Sequence, residues 1–99
     1  MLGEHSVRGR QVSFVCPGYP ARLRDLSDAP EALRVVGDLP DLRRAISVVG
    51  TRRADEEALD FAYSLAREAA LNGYVVVSGG AIGIDRAAHE GAIDGGGQT

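Results

Sequence analysis

The sequence has no tryptophan, no lysine, a single cysteine, and no apolar run near the roughly 20 residues a helix needs to cross a bilayer. With Cys16 the only thiol, an intrachain disulfide framework is excluded. Residues 1–10 are polar and lack the apolar segment of a secretory signal. These absences lead to the expectation of a soluble, cytoplasmic protein with no membrane partner. Aromatic residues are only 5% of the chain, whereas glycine occurs 13 times. That composition disfavours a large aromatic core and favours close helix-on-sheet packing with glycine-rich loops. A net charge of −3 excludes a generally basic coat for nucleic acid, so a polyanion would have to be held locally by a few donors. The 11 basic residues are all arginine. Arginine offers a planar fork that matches phosphate oxygens, although a GC-rich coding sequence would produce the same bias.

What remains is a chain of 99 residues, 44% hydrophobic and 25% charged, enough for one small globular domain with a thin stability margin. Residues 1–11 read as a flexible lead-in. Residues 12–15 are a short strand candidate, and the Pro-Gly-Tyr-Pro run ending at Pro20 forces a turn. Residues 21–27 allow one or two helical turns, residues 33–36 a second short strand, and Pro40 opens a brief turn or helix through Arg44. The pattern sharpens at residues 45–50, a β-branched run ending in glycine that predicts a buried parallel strand. Residues 55–72 predict a helix. Asp55 is its N-cap, Glu56 and Glu57 sit in its first turn, and Gly73 stops it. Leu59, Ala62, Ala66 and Ala69, with Leu65 beside them, form the stripe that faces a sheet. A second β-branched strand follows at residues 74–78, then a glycine loop, then a helix over 84–93 that Gly95, Gly96 and Gly97 break. Strand, helix, strand is a βαβ unit, whose right-handed crossover makes the two strands parallel neighbours. Both glycine loops then lie at the carboxyl edge of the sheet, where open α/β sheets bind ligands.

Three groupings could carry chemistry. In Gly50-Thr51-Arg52, glycine permits close backbone approach, threonine offers a hydroxyl and arginine can fork onto a phosphate. The structural reading is a simple chain turn with a solvated arginine. In Ser78-Gly79-Gly80-Ala81-Ile82-Gly83-Ile84-Asp85, a glycine loop opens a helix, and free backbone N–H groups there cradle anions. The structural reading is a tight strand-to-helix turn. The spacing is neither that of a dinucleotide fingerprint nor that of a P-loop, which also requires the missing lysine. Asp85 and His89, four apart on one helix face, could form an acid/base pair; the competing reading gives Asp85 to the helix dipole and His89 to packing. No third residue completes a triad, His5 and Cys16 make no catalytic pair, and no metal-ligand cluster is apparent.

Taken in order, these segments resemble the DNA-processing protein A (DprA/Smf) family. The resemblance runs from Tyr19-Pro20, Leu23, Pro30, Leu33 and Gly37 through Val48-Val49-Gly50-Thr51-Arg52. It is strongest at residues 78–85 with Ala88-His89 and Gly91-Ala92, and it ends at Gly96-Gly97-Gln98-Thr99. It implies an α/β fold with a Rossmann-like three-layer parallel sheet, truncated after the second βα unit, in a partial domain over residues 12–99. It further implies a non-enzymatic protein that binds single-stranded DNA without a cofactor, forms homodimers and loads a RecA-type recombinase during natural transformation. By the same resemblance, Gly50, Thr51, Arg52, Ser78, Gly79, Gly80 and Gly83 bind DNA phosphate. The chain departs from the pattern at Ile82, where the family often carries a basic residue. Elements that follow the last glycines in the family, with further DNA contacts and the dimer surface, are expected to be missing here. The fragment is therefore expected to expose a sheet edge and to be marginally stable.

Two other readings stand beside this one. A nucleotide-binding or nucleotide-hydrolysing protein of the lysine-decarboxylase-homologue type shares a glycine loop after a strand. Its hydrolase members place an acid in a Pro-Gly-Gly-x-Gly-Thr-x-x-Glu pattern that this chain lacks. The last reading is an inactive gene fragment.

Overall fold

A computed structural model describes residues 9–99. Most of the lead-in expected over residues 1–11 lies outside the described residues, as does His5. The chain divides into two compact units, one up to Leu42 and one over Arg43–Thr99.

In the first unit, strand β1 (Arg10–Ser13) pairs antiparallel with strand β2 (Ala32–Val35), with Val12 opposite Leu33. Arg10 and Gln11 thus belong to a strand, and the strands expected at 12–15 and 33–36 both begin earlier. Phe14 adds one further bond to the pair, its N–H donating to Glu31 O at 2.8 Å, and Cys16 N–H then donates to Ser13 O at 2.9 Å as the chain turns. Val12, Val35 and Tyr19 form the buried core of this unit, with Leu23 and Leu33 packed against it. Tyr19 is buried without an unsatisfied hydroxyl, because its O–H donates to Pro30 O at 2.8 Å. Arg24 in the short helix α1 (Ala21–Arg24) lies over the Phe14 and Tyr19 rings and donates to Phe14 O at 3.0 Å.

A 3₁₀ turn at Leu42–Arg44 leads directly into strand β3 (Ala45–Ser47) of the second unit. Helix α2 (Glu56–Leu71), strand β4 (Val75–Val77) and helix α3 (Ile84–Asp94) follow. The expected βαβ unit is present: β3 and β4 are parallel, with Ile46 opposite Val76, and Val48 N–H extends the ladder to Val77 O at 2.9 Å. The other edge of β4 is also occupied, since Val76 N–H donates to Gln98 O at 3.0 Å.

Helix α2 matches its sequence signals closely. Asp55 caps it by accepting from Ala58 N–H at 2.8 Å, and Gly73 follows with φ +80°, the left-handed position that favours glycine. Its buried face is Ala62, Ala66 and Ala70. Leu65, expected beside that face, is instead exposed, and so is Phe61. Helix α3 buries Ala87, Ala88, Gly91 and Ala92. These small residues let α2 and α3 approach closely: a side chain on Gly91 would collide with the backbone carbonyl of Tyr63. The core is therefore built from Val48, Val76 and the alanines of the two helices.

The two helices pack on each other and on β4, so they cover the same sheet face. Ser47 and Val77 on the strands, and Val49 beyond β3, are exposed, against the expectation of strands buried on both faces. The described architecture is mixed α/β with one antiparallel and one parallel two-stranded sheet. No helix among the described residues is long and apolar enough to cross a membrane.

Candidate functional site

Because β3 and β4 run parallel, the segments that leave them emerge at the same edge. They are locked together there by their own atoms. Ser78 O–H donates to Val48 O at 2.6 Å, and Ile84 N–H donates to Thr51 O at 3.2 Å. The Ser78 proton is thus committed to holding the two strand ends together, which leaves that oxygen only as an acceptor.

The glycines can be sorted by what a side chain at each would meet. A Cβ on Gly50 would lie 2.7 Å from Cγ1 of Ile84. A Cβ on Gly83 would lie 2.5 Å from Thr51 O and 2.8 Å from the Arg52 Cα, and Gly83 also has φ +84°. A Cβ on Gly79 would lie 2.5 Å from Asp85 Oδ2. At Gly50 and Gly83 the protein's own packing requires glycine, and at Gly79 a side chain would have to displace the Asp85 carboxylate. Gly80 is different. Nothing lies within 4 Å of its missing side chain, and its φ is not positive. Neither packing nor backbone conformation explains Gly80, which leaves it open to a group from outside.

The structure brings Thr51 and Arg52 against Gly83, and Gly50 against Ile84, so the first loop meets the end of the second. Thr51 Oγ1 accepts from Arg53 N–H at 3.1 Å and keeps its own proton to donate. The Arg52 side chain is exposed and has no partner among the described residues. Arg53, which the sequence reading did not single out, is exposed beside it. Its signal was present as the second basic residue of the Arg52-Arg53 pair.

Asp85 and His89 are not bonded to each other; each reaches the glycine loop separately. Asp85 is buried, approaches Ala81 N–H through Oδ2 at 3.4 Å, and leaves Oδ1 without a partner. His89 Nε2 is 2.8 Å from Gly79 O, and its Nδ1 is 2.6 Å from Thr99 Oγ1. The i, i+4 spacing made their shared helix face legible in the sequence, but not the fact that this face looks onto the loop. Asp85 also sets the electrostatics. Its carboxylate sits in the first turn of α3, where the helix end carries about half a positive charge. That offset makes the exposed guanidinium of Arg52 the main attraction for an anion.

No group of three or more metal-ligating side chains exists among the described residues. Two cavities flank the site. One, of about 260 Å³, is lined by Leu59, Tyr63, Gly83 and Arg86 among others. The other, of about 350 Å³, is lined by Val49, Phe61, Leu65 and Ile84 among others. Arg52, Gly79 and Gly80 line neither of them. Arg52, Gly79 and Gly80 are all exposed.

Residues 11–99 match the family described as DNA recombination-mediator protein A. The chain is 36% identical over 83 residues to the DNA processing protein DprA of Bacillus subtilis, covering 82% of this chain and 28% of that protein. It is 35% identical over 77 residues to the protein Smf of Borreliella burgdorferi, covering 77% of this chain and 24% of that one. The chain thus spans about a quarter of the length of these curated relatives.

Proposed function

The chain belongs to the DNA recombination-mediator protein A family, and from that membership we propose that it binds single-stranded DNA through backbone phosphates at the surface made by residues 50–52 and 78–83. The observation that carries this reading is an exposed, unpartnered Arg52 side chain whose backbone lies against Gly83, in the loop that also holds the open Gly80. Arginine supplies the charge and the fork. Thr51 O–H and the Gly80 N–H supply neutral donors. The module is a binding surface without catalysis and without a cofactor. In the longer protein, its strands would form part of a Rossmann-like three-layer sheet. That protein would act in the cytoplasm as a homodimer, hold incoming single strands during natural transformation and pass them to a RecA-type recombinase.

The reading is tested by fluorescence anisotropy of a labelled oligo-dT with the 99-residue chain. A charge-assisted contact is worth about 1.5–3 kcal/mol, so Arg52→Ala is expected to weaken binding roughly 10- to 100-fold. The slope of log affinity against log salt should also fall by about 0.7, the value for one phosphate contact on a single strand. Wild-type affinity in Arg52→Ala would remove the assigned site. Binding of a free nucleoside monophosphate as strong as that of the oligonucleotide would favour a nucleotide site instead.

A further inference from the structure

The Gly79–Gly80 peptide is held from one side by His89. Nε2 of His89 lies 2.8 Å from Gly79 O. A carbonyl oxygen only accepts, so Nε2 carries a proton and donates it. On the other side of the ring, Nδ1 meets Thr99 Oγ1 at 2.6 Å, and that hydroxyl donates to Val76 O at 2.8 Å. The ring is therefore pinned between the end of β4 and the glycine loop.

The described residues contain no cis peptide bond. In a trans peptide the C=O and the following N–H point in opposite directions. Fixing Gly79 O toward α3 thus turns the Gly80 N–H away from His89. That N–H has no acceptor among the described residues, and the space around the missing Gly80 side chain is empty to 4 Å. A hydrogen bond to the carbonyl also polarises the N–H of the same peptide and makes it the stronger donor.

We infer that His89 is a positioning residue, which holds the Gly79–Gly80 peptide so that the Gly80 N–H is presented outward as a hydrogen-bond donor to a phosphate oxygen. This rests on the phosphate-binding reading above and assigns the second contact within that site. It gives His89 a role distinct from both acid/base chemistry and simple packing. The ring acts through the peptide and touches no ligand itself.

The test compares His89→Gln with His89→Leu. Both are close to histidine in size, but only glutamine can donate to Gly79 O. Oligo-dT affinity is measured by anisotropy on folded protein, with the Gly80 amide signal followed by NMR in ¹⁵N-labelled chain. The wild-type Gly80 amide is expected to shift on addition of oligo-dT. His89→Leu is expected to bind about tenfold more weakly and to lose that shift, and His89→Gln is expected to restore both. If Leu and Gln bind alike, or if His89→Leu keeps wild-type affinity and the Gly80 shift, the inference is overturned. An Arg52→Ala control separates the two levels. Weakened binding by Arg52→Ala beside unchanged binding by His89→Leu removes the role of His89 alone. Unchanged binding by Arg52→Ala, or no binding by wild type, removes the phosphate site and the His89 role with it.

Discussion

Alanine at Gly80 and alanine at Gly83 should have opposite consequences, although the two glycines lie in the same loop. At Gly83 the backbone has φ +84° and ψ −130°, a conformation that L side chains rarely adopt. Holding a non-glycine residue there costs about 1–3 kcal/mol. The new Cβ would also sit 2.5 Å from Thr51 O and 2.8 Å from the Arg52 Cα, and both are backbone atoms that cannot rotate away. Overpacking of that kind adds about 1–3 kcal/mol. Gly83→Ala should therefore lose roughly 2–6 kcal/mol, a large part of the margin of a small domain. Its melting temperature should fall by about 10 °C or more, at roughly 4–8 °C per kcal/mol. At Gly80 a Cβ meets nothing within 4 Å and φ is not positive. Gly80→Ala should leave stability unchanged or raise it by about 0.4–1 kcal/mol through lower entropy of the unfolded chain. The added methyl stands where a phosphate would approach, so oligo-dT affinity should fall about tenfold, the equivalent of one misplaced donor. Circular-dichroism melts and anisotropy on the same samples give both quantities. A Gly80→Ala melt as low as that of Gly83→Ala would refute the packing argument. A Gly80→Ala protein that melts and binds like wild type would refute close approach at Gly80.

Two further outcomes follow from the second unit. Gly91→Ala drives a methyl into the Tyr63 backbone carbonyl and forces α2 and α3 apart, so a loss of about 1–3 kcal/mol or more is expected in denaturant unfolding; a wild-type midpoint would mean the helices can separate freely. Tyr63 O–H donates to Asp94 Oδ2, and this bond, with some desolvation and the nearby Asp94 and Glu90 charges, holds the phenol above its usual value of 10.0. The neutral phenol is the favoured form in the fold, so this stabilisation is complete below that value and is lost as pH rises through the folded one. Asp94→Asn should lower the pH at which the Tyr63 phenolate forms, read by site-resolved NMR titration, and an unchanged titration would show that the Asp94 bond is not its cause.

Sequence and structure agree best where the local signals are redundant. Helix α2 carries an N-cap, two first-turn acids, an alanine stripe and a glycine stop, and each specifies the same element, so its bounds fall within a residue of those expected. The strands at 12–15 and 33–36 rested on β-branched and apolar residues alone. A turn bond from Cys16 to Ser13, which composition does not reveal, follows the end of β1. Leu65 was misread because the stripe on α2 follows Ala62, Ala66 and Ala70, and a leucine one residue from the stripe rotates out of it. At the site, the pattern identified a glycine loop but could not separate its glycines. Which one is needed by Ile84, which by Thr51, which by Asp85 and which by nothing in the chain is a property of contacts between segments distant in sequence.

That sorting also bears on how an acidic chain could hold a polyanion. If every glycine of the loop existed to admit phosphate, the site would depend on backbone dipoles, and Asp85, buried in the first turn of α3, would oppose it. Two glycines instead let the Arg52 segment meet the second loop and its helix, with Gly50 accommodating Ile84 and Gly83 accommodating the Thr51 and Arg52 backbone, while Gly79 leaves room for the Asp85 carboxylate. The packing that looks merely structural fixes where the guanidinium starts from, and the same helix that buries Asp85 carries His89 to the Gly79 carbonyl. The Arg52 backbone is thus placed by its contact with Gly83, and the Gly79–Gly80 peptide separately by His89. On the proposed reading, a chain with a net charge of −3 needs no basic surface, only the exposed Arg52 together with the Gly80 N–H.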